Sequence, residues 1–361
     1  MPANRGLKRK KLGIAVIYGG RSSEHEVSLL SAASVMAALD RNKYEVTPIL
    51  IAKDGRWWHE PRNGRRRPLC PDPARPGWIK TDKKIDIVFP LVHGTGGEDG
   101  CLQGLLELAG VPYVGSGVLG SAVGMDKAVQ KKLLRQAGLP VVAWVDFDDQ
   151  AWRNDRQRLL AAIRRLGLPV FVKPANLGSS VGITKAHDRK ELLAGISLAL
   201  RYDTKVIVEK AVPRPCEIEC SVIGETGRPL VSVPGEIVPS NEFYDYEAKY
   251  LDGRSSVLIP ALLSAALSRH IRSLAGCVFT ELEAYGLSRV DFLLTRGVKP
   301  KVFVNEINTI PGFTDISMFP KLWAASGWPY PRLLDAVIAL AVRRAAVRSK
   351  LSRDHRPPQK K

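Results

Sequence analysis

Apolar positions along the chain alternate between strand-like and helix-like spacing from the start. Leu12 to Tyr18 is a short, apolar, β-prone run that Gly19 and Gly20 interrupt, and the small-residue apolar segment from Val27 to Leu39 reads as a helix. Strand, glycine turn and helix open an α/β unit. Tyr44 to Ile51 and Ile85 to Leu91 read as further strands, the second running into a glycine-rich loop from His93 to Gly100. Ligand loops of open α/β sheets lie at such carboxyl ends. Between these strands, residues 54–80 are rich in Arg, Pro, Gly and Trp without a period, which predicts an irregular surface excursion.

The pattern changes near Gly124. Asp126 to Gln136 reads as a helix stopped by Gly138 and Pro140, and strands are predicted near Val141–Val145, Val170–Pro174, Val181–Lys185 and Lys205–Lys210. The Gly178-Ser179-Ser180 loop is expected to join two of them as an antiparallel hairpin. A third unit starts near Pro213. There Cys216, Ile218, Cys220 and Val222 alternate with Glu217, Glu219 and Ser221, giving one apolar and one carboxylate-bearing face. After Pro260, Leu263, Leu267, Ile271, Leu274 and Val278 form a helical stripe. The chain therefore divides into 1–124, 125–212 and 213–361, and 361 residues suit two or three domains around a shared cleft.

Composition narrows the class. No apolar run has the length to cross a bilayer, and the basic Met1 to Lys11 leads only into the short Leu12–Tyr18 stretch, so neither a span nor a secretory signal is expected. The five cysteines, Cys70, Cys101, Cys216, Cys220 and Cys277, include no C-x-x-C pair, which fits a reducing cytoplasm. The net charge of +18 raises nucleic-acid binding, but residues 1–11 carry +5 and residues 343–361 carry +7. Twelve of the eighteen charges thus read as solvated tails, with Arg62, Arg65, Arg66 and Arg67 clustered in a Pro-rich loop and no specific nucleic-acid partner expected.

Several segments carry candidate chemistry. Glu306 and Asn308, in Val302 to Gly312, leave the same face of a predicted strand, and Asp291 on the preceding strand adds a third oxygen. The set is either a solvated polar row or a hard-oxygen site for magnesium on a nucleotide. Gly178, Ser179, Ser180 and Gly182 follow Lys173 and Pro174 and form either a plain turn or a phosphate-wrapping loop. Lys127 and Lys173 could reach the same phosphates, and Glu209 or Glu217 could accept hydrogen bonds from adenine or ribose. Asn241 to Gly253, with Phe243, Tyr244, Tyr246, Lys249 and Tyr250, reads as a loop that closes on a site. Glu24 sits at the mouth of the first strand, where a carboxylate also suits a helix N-terminus. His25, His59, His187 and His355 have no ligand-like partners in sequence and read as surface residues.

Taken in order, the blocks GGRSSEHEVS, HGTGGEDG, GSGVLGSAVGMDK, VKPANLGSSVG, EFYDYEAKY, SRVDFLL and NEINTIPGFT resemble the D-alanine–D-alanine ligase family over roughly residues 13–342. The resemblance implies the three-domain ATP-grasp fold, a Rossmann-like parallel sheet followed by two α+β subdomains that clamp ATP. It implies two Mg2+ or Mn2+ ions on Asp291, Glu306 and Asn308, and ATP held by Lys127, Lys173, Ser180, Glu209, Lys210, Val212, Glu217 and Lys249. Glu24 would grip the first D-alanine, linked through Ser179 to Tyr250, with His93 nearby. Arg289 and the backbone of Gly312 would form an oxyanion hole, and Ser317 and Met318 would lie beside the second substrate. A cytoplasmic homodimer serving peptidoglycan synthesis is expected. The alternatives are a D-alanine–D-lactate or D-serine ligase of the same family, or a catalytically dead basic polyanion-binding protein. Cys216 departs from the arginine often found there, and the basic tails and the arginine cluster are not family features.

Overall fold

The computed structural model describes residues 10–60, 64–72, 79, 81–238, 256–314 and 316–352. The first unit runs β1 (Leu12–Gly19), α1 (His25–Ala38), β2 (Tyr44–Ile51), β3 (Trp57–His59), β4 (Arg67–Leu69), β5 (Ile87–Leu91), α2 (Cys101–Leu108) and α3 (Val118–Met125). The second holds α4 (Lys127–Gln136), β6 (Trp144–Asp148), α5 (Asp149–Asn154), α6 (Arg156–Leu166), β7 (Val170–Pro174), β8 (Thr184–Ala186), α7 (Arg189–Ala199) and β9 (Lys205–Lys210). The rest comprises β10 (Cys216–Glu225), β11 (Arg228–Val231), β12 (Gly235–Val238), β13 (Ser256–Leu258), α8 (Ala265–Glu281), β14 (Gly286–Leu294), β15 (Val302–Asn308), α9 (Met318–Ala325) and α10 (Tyr330–Arg348).

Three sheets result, in the orders β4-β3-β2-β1-β5, β6-β9-β7-β8 and β13-β12-β10-β14-β15, with β11 added to β10. In the first sheet, β1 pairs in parallel with both β2 and β5, the expected Rossmann-like core. Its strands are apolar on both faces because both are covered. Ile14, Val16 and Tyr18 point into one cluster with α1 and α10, while Ala15 and Ile17 point into another with α2. The other two sheets are antiparallel, each backed by helices: α6 and α7 on the second, α8 on the third. Among the described residues no helix is long and apolar enough to cross a membrane.

Four expectations are revised. The 54–80 excursion contains the hairpin β3–β4, which extends the first sheet antiparallel to β2. Three-residue strands are too short to show a period, so side-chain alternation could not mark them. The strand predicted at Val141–Val145 begins instead at Trp144, because Val304 donates its N–H to the Pro140 carbonyl and Val141 bridges to Val304, tying this stretch to another sheet. The strand predicted at Val181–Lys185 forms only over Thr184–Ala186, since Ser179, Ser180 and Gly182 all have positive φ and cannot continue a strand. His25 and His59 are buried, not surface residues; His25 Nδ1 lies 2.8 Å from the Gly20 carbonyl.

The basic C-terminal stretch is also partly folded. Arg343, Arg344 and Arg348 belong to α10, where Arg343 pairs with Glu225 at 2.7 Å and Arg348 pairs with Glu107. Arg344 donates to the Gly115 and Tyr113 carbonyls at 2.7 and 2.9 Å and stacks against Tyr113 and Tyr285. The loop after β15 is tied back to the first sheet by Phe313, which meets Phe89 edge-on at 5.6 Å and Phe319 at 5.1 Å. Each such aromatic pair adds about 0.5–1.5 kcal/mol beyond its buried area. This anchors Gly312, one residue earlier, over the mouth of β1 and β5.

Candidate active site

Two clefts of about 180 Å³ each meet between the three sheets. Every described member of the expected site set lines one or both. Lys249 and Tyr250, with their loop, lie outside the described residues.

The first cleft lies between the second and third sheets. Its floor is electrostatic. Lys127 opens α4, whose N-cap Asp126 accepts from the N–H groups of Ala128 and Val129. Its Nζ donates to the Leu177 carbonyl at 2.6 Å and lies 3.3 Å from Glu306 Oε2. Lys173 on β7 is buried, with Nζ 2.8 Å from Glu209 Oε2. Burial works against its charge, yet Glu209 and Glu306 hold its pKa above the ordinary value. Burial likewise works against the charge of Glu209, but Lys131 and Lys173 keep its pKa below the carboxylate range. The Glu209 carboxylate is therefore turned to two lysines, not open to a base or ribose. Lys210, Val212 and Glu217 also line this cleft, together with apolar Phe171, Ile183, Phe292 and Leu293.

Between the clefts stands the β7–β8 loop. Ser179 and Ser180 adopt φ of 50° and 59°, left-handed conformations that cost a non-glycine residue about 1–2 kcal/mol each. Such strain collects at functional sites. Ser179 Oγ donates to Glu24 Oε1 across the cleft. Glycine makes room for that carboxylate: a Cβ on Gly94 would sit 2.5 Å from Glu24 Oε2, and one on Gly178 would sit 3.0 Å away.

Arg289 on β14 lines both clefts. Its Nε and Nη2 donate to Asp291 at 2.7 and 2.8 Å, and Nε also lies 3.0 Å from Glu219 Oε2. Burial opposes its charge, but Asp291 and Glu219 hold the guanidinium pKa well above its usual value. Asp291 faces Glu306 across the β14–β15 pair, and Arg289 faces Asn308. The predicted oxygen triad is thus brought together on adjacent strands, with Asn308 Oδ1 accepting from Ile310 N–H at 3.1 Å.

The second cleft is lined by Glu24, His93, Asn308, Gly312, Ser317 and Met318 with apolar Val27, Leu30 and Ile316. His93 is buried, its Nε2 2.9 Å from Ser31 Oγ and its Nδ1 3.0 Å from the Ile310 carbonyl. Burial works against protonation of His93, but neighbouring Glu98 lifts its pKa above the ordinary value. Ser317 Oγ accepts from Thr314 N–H at 3.1 Å, and a Cβ on Gly312 would come within 2.7 Å of it.

Sequence reasoning missed Lys131, Glu219, Phe171 and Lys185. Lys131 was detectable, four residues after Lys127 on the same helix face. Glu219 lies on the predicted carboxylate-bearing face of β10, but nothing in the alternation marks it as buried against Arg289. Phe171 and Lys185 carry no signal beyond strand alternation.

Residues 13–116 match the family described as the D-Ala–D-Ala ligase N-terminus, and residues 133–339 match its C-terminus. The D-alanine–D-alanine ligase of Natranaerobius thermophilus is 47% identical over 96% of this chain and 99% of its own length. That of Solibacter usitatus is 49% identical over 92% of this chain and 96% of its own. The solved D-alanine–D-alanine ligase of Coxiella burnetii superposes with a TM-score of 0.82 at 40% identity, covering 94% of this chain and 96% of that one. The VanG D-Ala:D-Ser ligase of Enterococcus faecalis gives 0.82 at 36% identity, over 92% and 100%. With its sheets, its two joined clefts and these matches, the chain belongs to the D-alanine–D-alanine ligase family, ATP-dependent ligases of the ATP-grasp fold.

Proposed function

We propose that this chain joins two D-alanine molecules with ATP, releasing ADP and phosphate, to supply a dipeptide for the peptidoglycan precursor. The observation that carries this reading is the continuity of the two clefts, which share Lys127, Ser179, Arg289 and Glu306 along their common wall. A phosphoryl group entering from one side meets a carboxylate held on the other without crossing bulk solvent. The units 1–124, 125–212 and 213–361 each contribute a wall. The working form is a cytoplasmic homodimer, which sedimentation equilibrium tests.

In this mechanism Lys210, Val212 and Glu217 border the base and ribose, and Lys127, Lys173 and Ser180 hold the phosphates. Glu24, oriented by Ser179, accepts hydrogen bonds from the ammonium group of the first D-alanine. The carboxylate of that substrate attacks the γ-phosphorus. An oxygen–phosphorus bond forms as the bond to the bridging oxygen breaks, giving ADP and an acyl phosphate. The second D-alanine, beside His93, Ser317 and Met318, must lose a proton before its amine attacks the acyl carbon. Arg289 and the Gly312 N–H offset the charge on the resulting oxyanion, which collapses to the amide and expels phosphate.

Asp291, Glu306 and Asn308 would hold Mg2+ or Mn2+. The donors fit: they are hard oxygens on adjacent strands, and the two carboxylates are already turned to the cations Arg289 and Lys127. When bound, the ions neutralise charge on the phosphates. The decisive assay measures phosphate release from ATP with D-alanine, L-alanine, D-serine and D-lactate, and identifies products by mass. D-alanine-dependent release with the dialanine mass is expected. Release indifferent to D-alanine, or a preferred mixed product, would sink the assignment.

A further inference from the structure

Lys131 is the most deeply buried ionisable group near the cleft, 1% exposed, and it does not line it. Its Nζ lies 3.1 Å from Glu209 Oε1, while Lys173 takes the other oxygen at 2.8 Å. One carboxylate thus separates two ammonium groups, leaving the buried trio one positive charge in excess. Burial works against the charge of Lys131 and lowers its pKa, while Glu209 and Glu306 act against that shift. Glu306 supplies part of the balancing charge, and of the two lysines Lys173 is the one that lines the cleft, where an anionic ligand would meet it.

Lys131 has a second attachment. The β14–β15 register slips between Asp291 and Phe292, so that Asp291 faces Glu306 and Phe292 faces Val304, leaving Asn305 as the bulged residue. Lys131 Nζ donates to the Asn305 carbonyl at 3.3 Å, and neighbouring Gln130 Oε1 accepts from Ile307 N–H at 3.1 Å. Helix α4 therefore grips β15 on both sides of Glu306.

We propose that Lys131 is a positioning residue for the triphosphate: it holds Glu209 so that Lys173 faces the cleft as a cation, braces the bulge before Glu306, and adds buried positive charge behind the phosphates. The proposal rests on the first cleft being the ATP site. It follows that Lys131 distinguishes phosphate from nucleoside although it touches neither.

The test is calorimetric titration of ATP and adenosine into wild type, Lys131→Met and Lys131→Gln. Lys131→Gln keeps a donor for Glu209 or Asn305 while removing the charge. Loss of one charge-assisted contact predicts ATP binding weaker by about tenfold or more in both variants, with adenosine binding unchanged. The KM for D-alanine at saturating ATP should stay at the wild-type value. Unchanged ATP affinity, or equal weakening of ATP and adenosine, overturns the proposal. So does failure of both variants to give wild-type circular dichroism, which would make Lys131 a fold residue. If wild type itself binds neither ligand, the fault lies with the ATP-site reading instead.

Discussion

The nucleotide side and the amino-acid side of the cleft have equal volumes but opposite construction. On the nucleotide side, charges balance one another through regular elements. Lys127 and Lys131 are one turn apart on α4, and Lys173 and Glu209 sit diagonally on the paired strands β7 and β9. Each charge has at least one partner within 3.3 Å, so each depends on the others. On the amino-acid side, Glu24, His93, Ser179 and Gly312 come from four separate loops or element ends, and backbone space made by glycine matters as much as charge. Under the proposed function, recognition of a polyanion is spread over a network, whereas recognition of one ammonium group falls to a single carboxylate.

The largest effect is expected where the two sides join. Arg289→Lys keeps a positive charge but loses the planar fork that bridges Asp291 and Glu219. Its kcat should fall by about 10²–10³, the usual loss for a displaced oxyanion donor. Single-turnover phosphate release should show the defect with either substrate saturating. A variant impaired only in ATP binding, or only in D-alanine binding, would break the idea that Arg289 belongs to both sides.

Glu24→Gln should act on one side alone. Losing a charged hydrogen-bond partner is worth about 1.5–3 kcal/mol, so kcat/KM for D-alanine should fall by about 10- to 100-fold. ATP affinity, measured by titration without D-alanine, should not change. Weakened ATP binding would mean that the Ser179–Glu24 contact supports the phosphate loop as well as the substrate.

Lys173→Met is the mirror experiment. It removes the cation that faces the phosphates while Lys131 still balances Glu209, so the fold should survive. ATP binding should weaken by about tenfold, with the KM for D-alanine little altered. Equal damage to both substrates would show that the sides are not separable and that the comparison fails.

The difference in construction also governs how much the sequence disclosed. Regular elements with strong periodicity were legible: β7 and β9 lie at their predicted bounds, β15 carries Glu306 and Asn308 on one face, and the Gly178–Ser180 loop joins an antiparallel pair. What resisted reading was burial that no local pattern encodes. Lys131, His25 and His59 look like surface residues because polar types usually are, and only the tertiary packing of α4 on β15 and β9, of the start of α1 against the end of β1, or of β3 on β2, hides them. The amino-acid side was reached through ordered motif blocks, since four distant loops share no spacing. Glu209 lines the first cleft, but its carboxylate meets Lys131 and Lys173, contacts that sequence position alone does not disclose.

The smallest effect is expected outside both sides, in the basic C-terminal stretch, and it calibrates the others. Residues 343–361 carry +7 in sequence, yet Arg343, Arg344 and Arg348 are committed to Glu225, to backbone carbonyls and to Glu107. Deleting 353–361 removes four basic residues and one acid, and leaves every described residue that lines either cleft in place. Its kcat and both KM values should match wild type, while elution from heparin should move to lower salt, because polyanion affinity scales with the number of contacts neutralised. Arg344→Ala is the contrasting variant. It abandons two buried carbonyls and the stack between Tyr113 and Tyr285, so stability should drop by about 2 kcal/mol in urea denaturation with little change in heparin elution. If the deletion lowers turnover, or if heparin elution follows Arg344 instead of the last nine residues, the division between a folded basic helix and a dispensable basic end is wrong, and the charge of this region has to be counted with the machinery of the clefts.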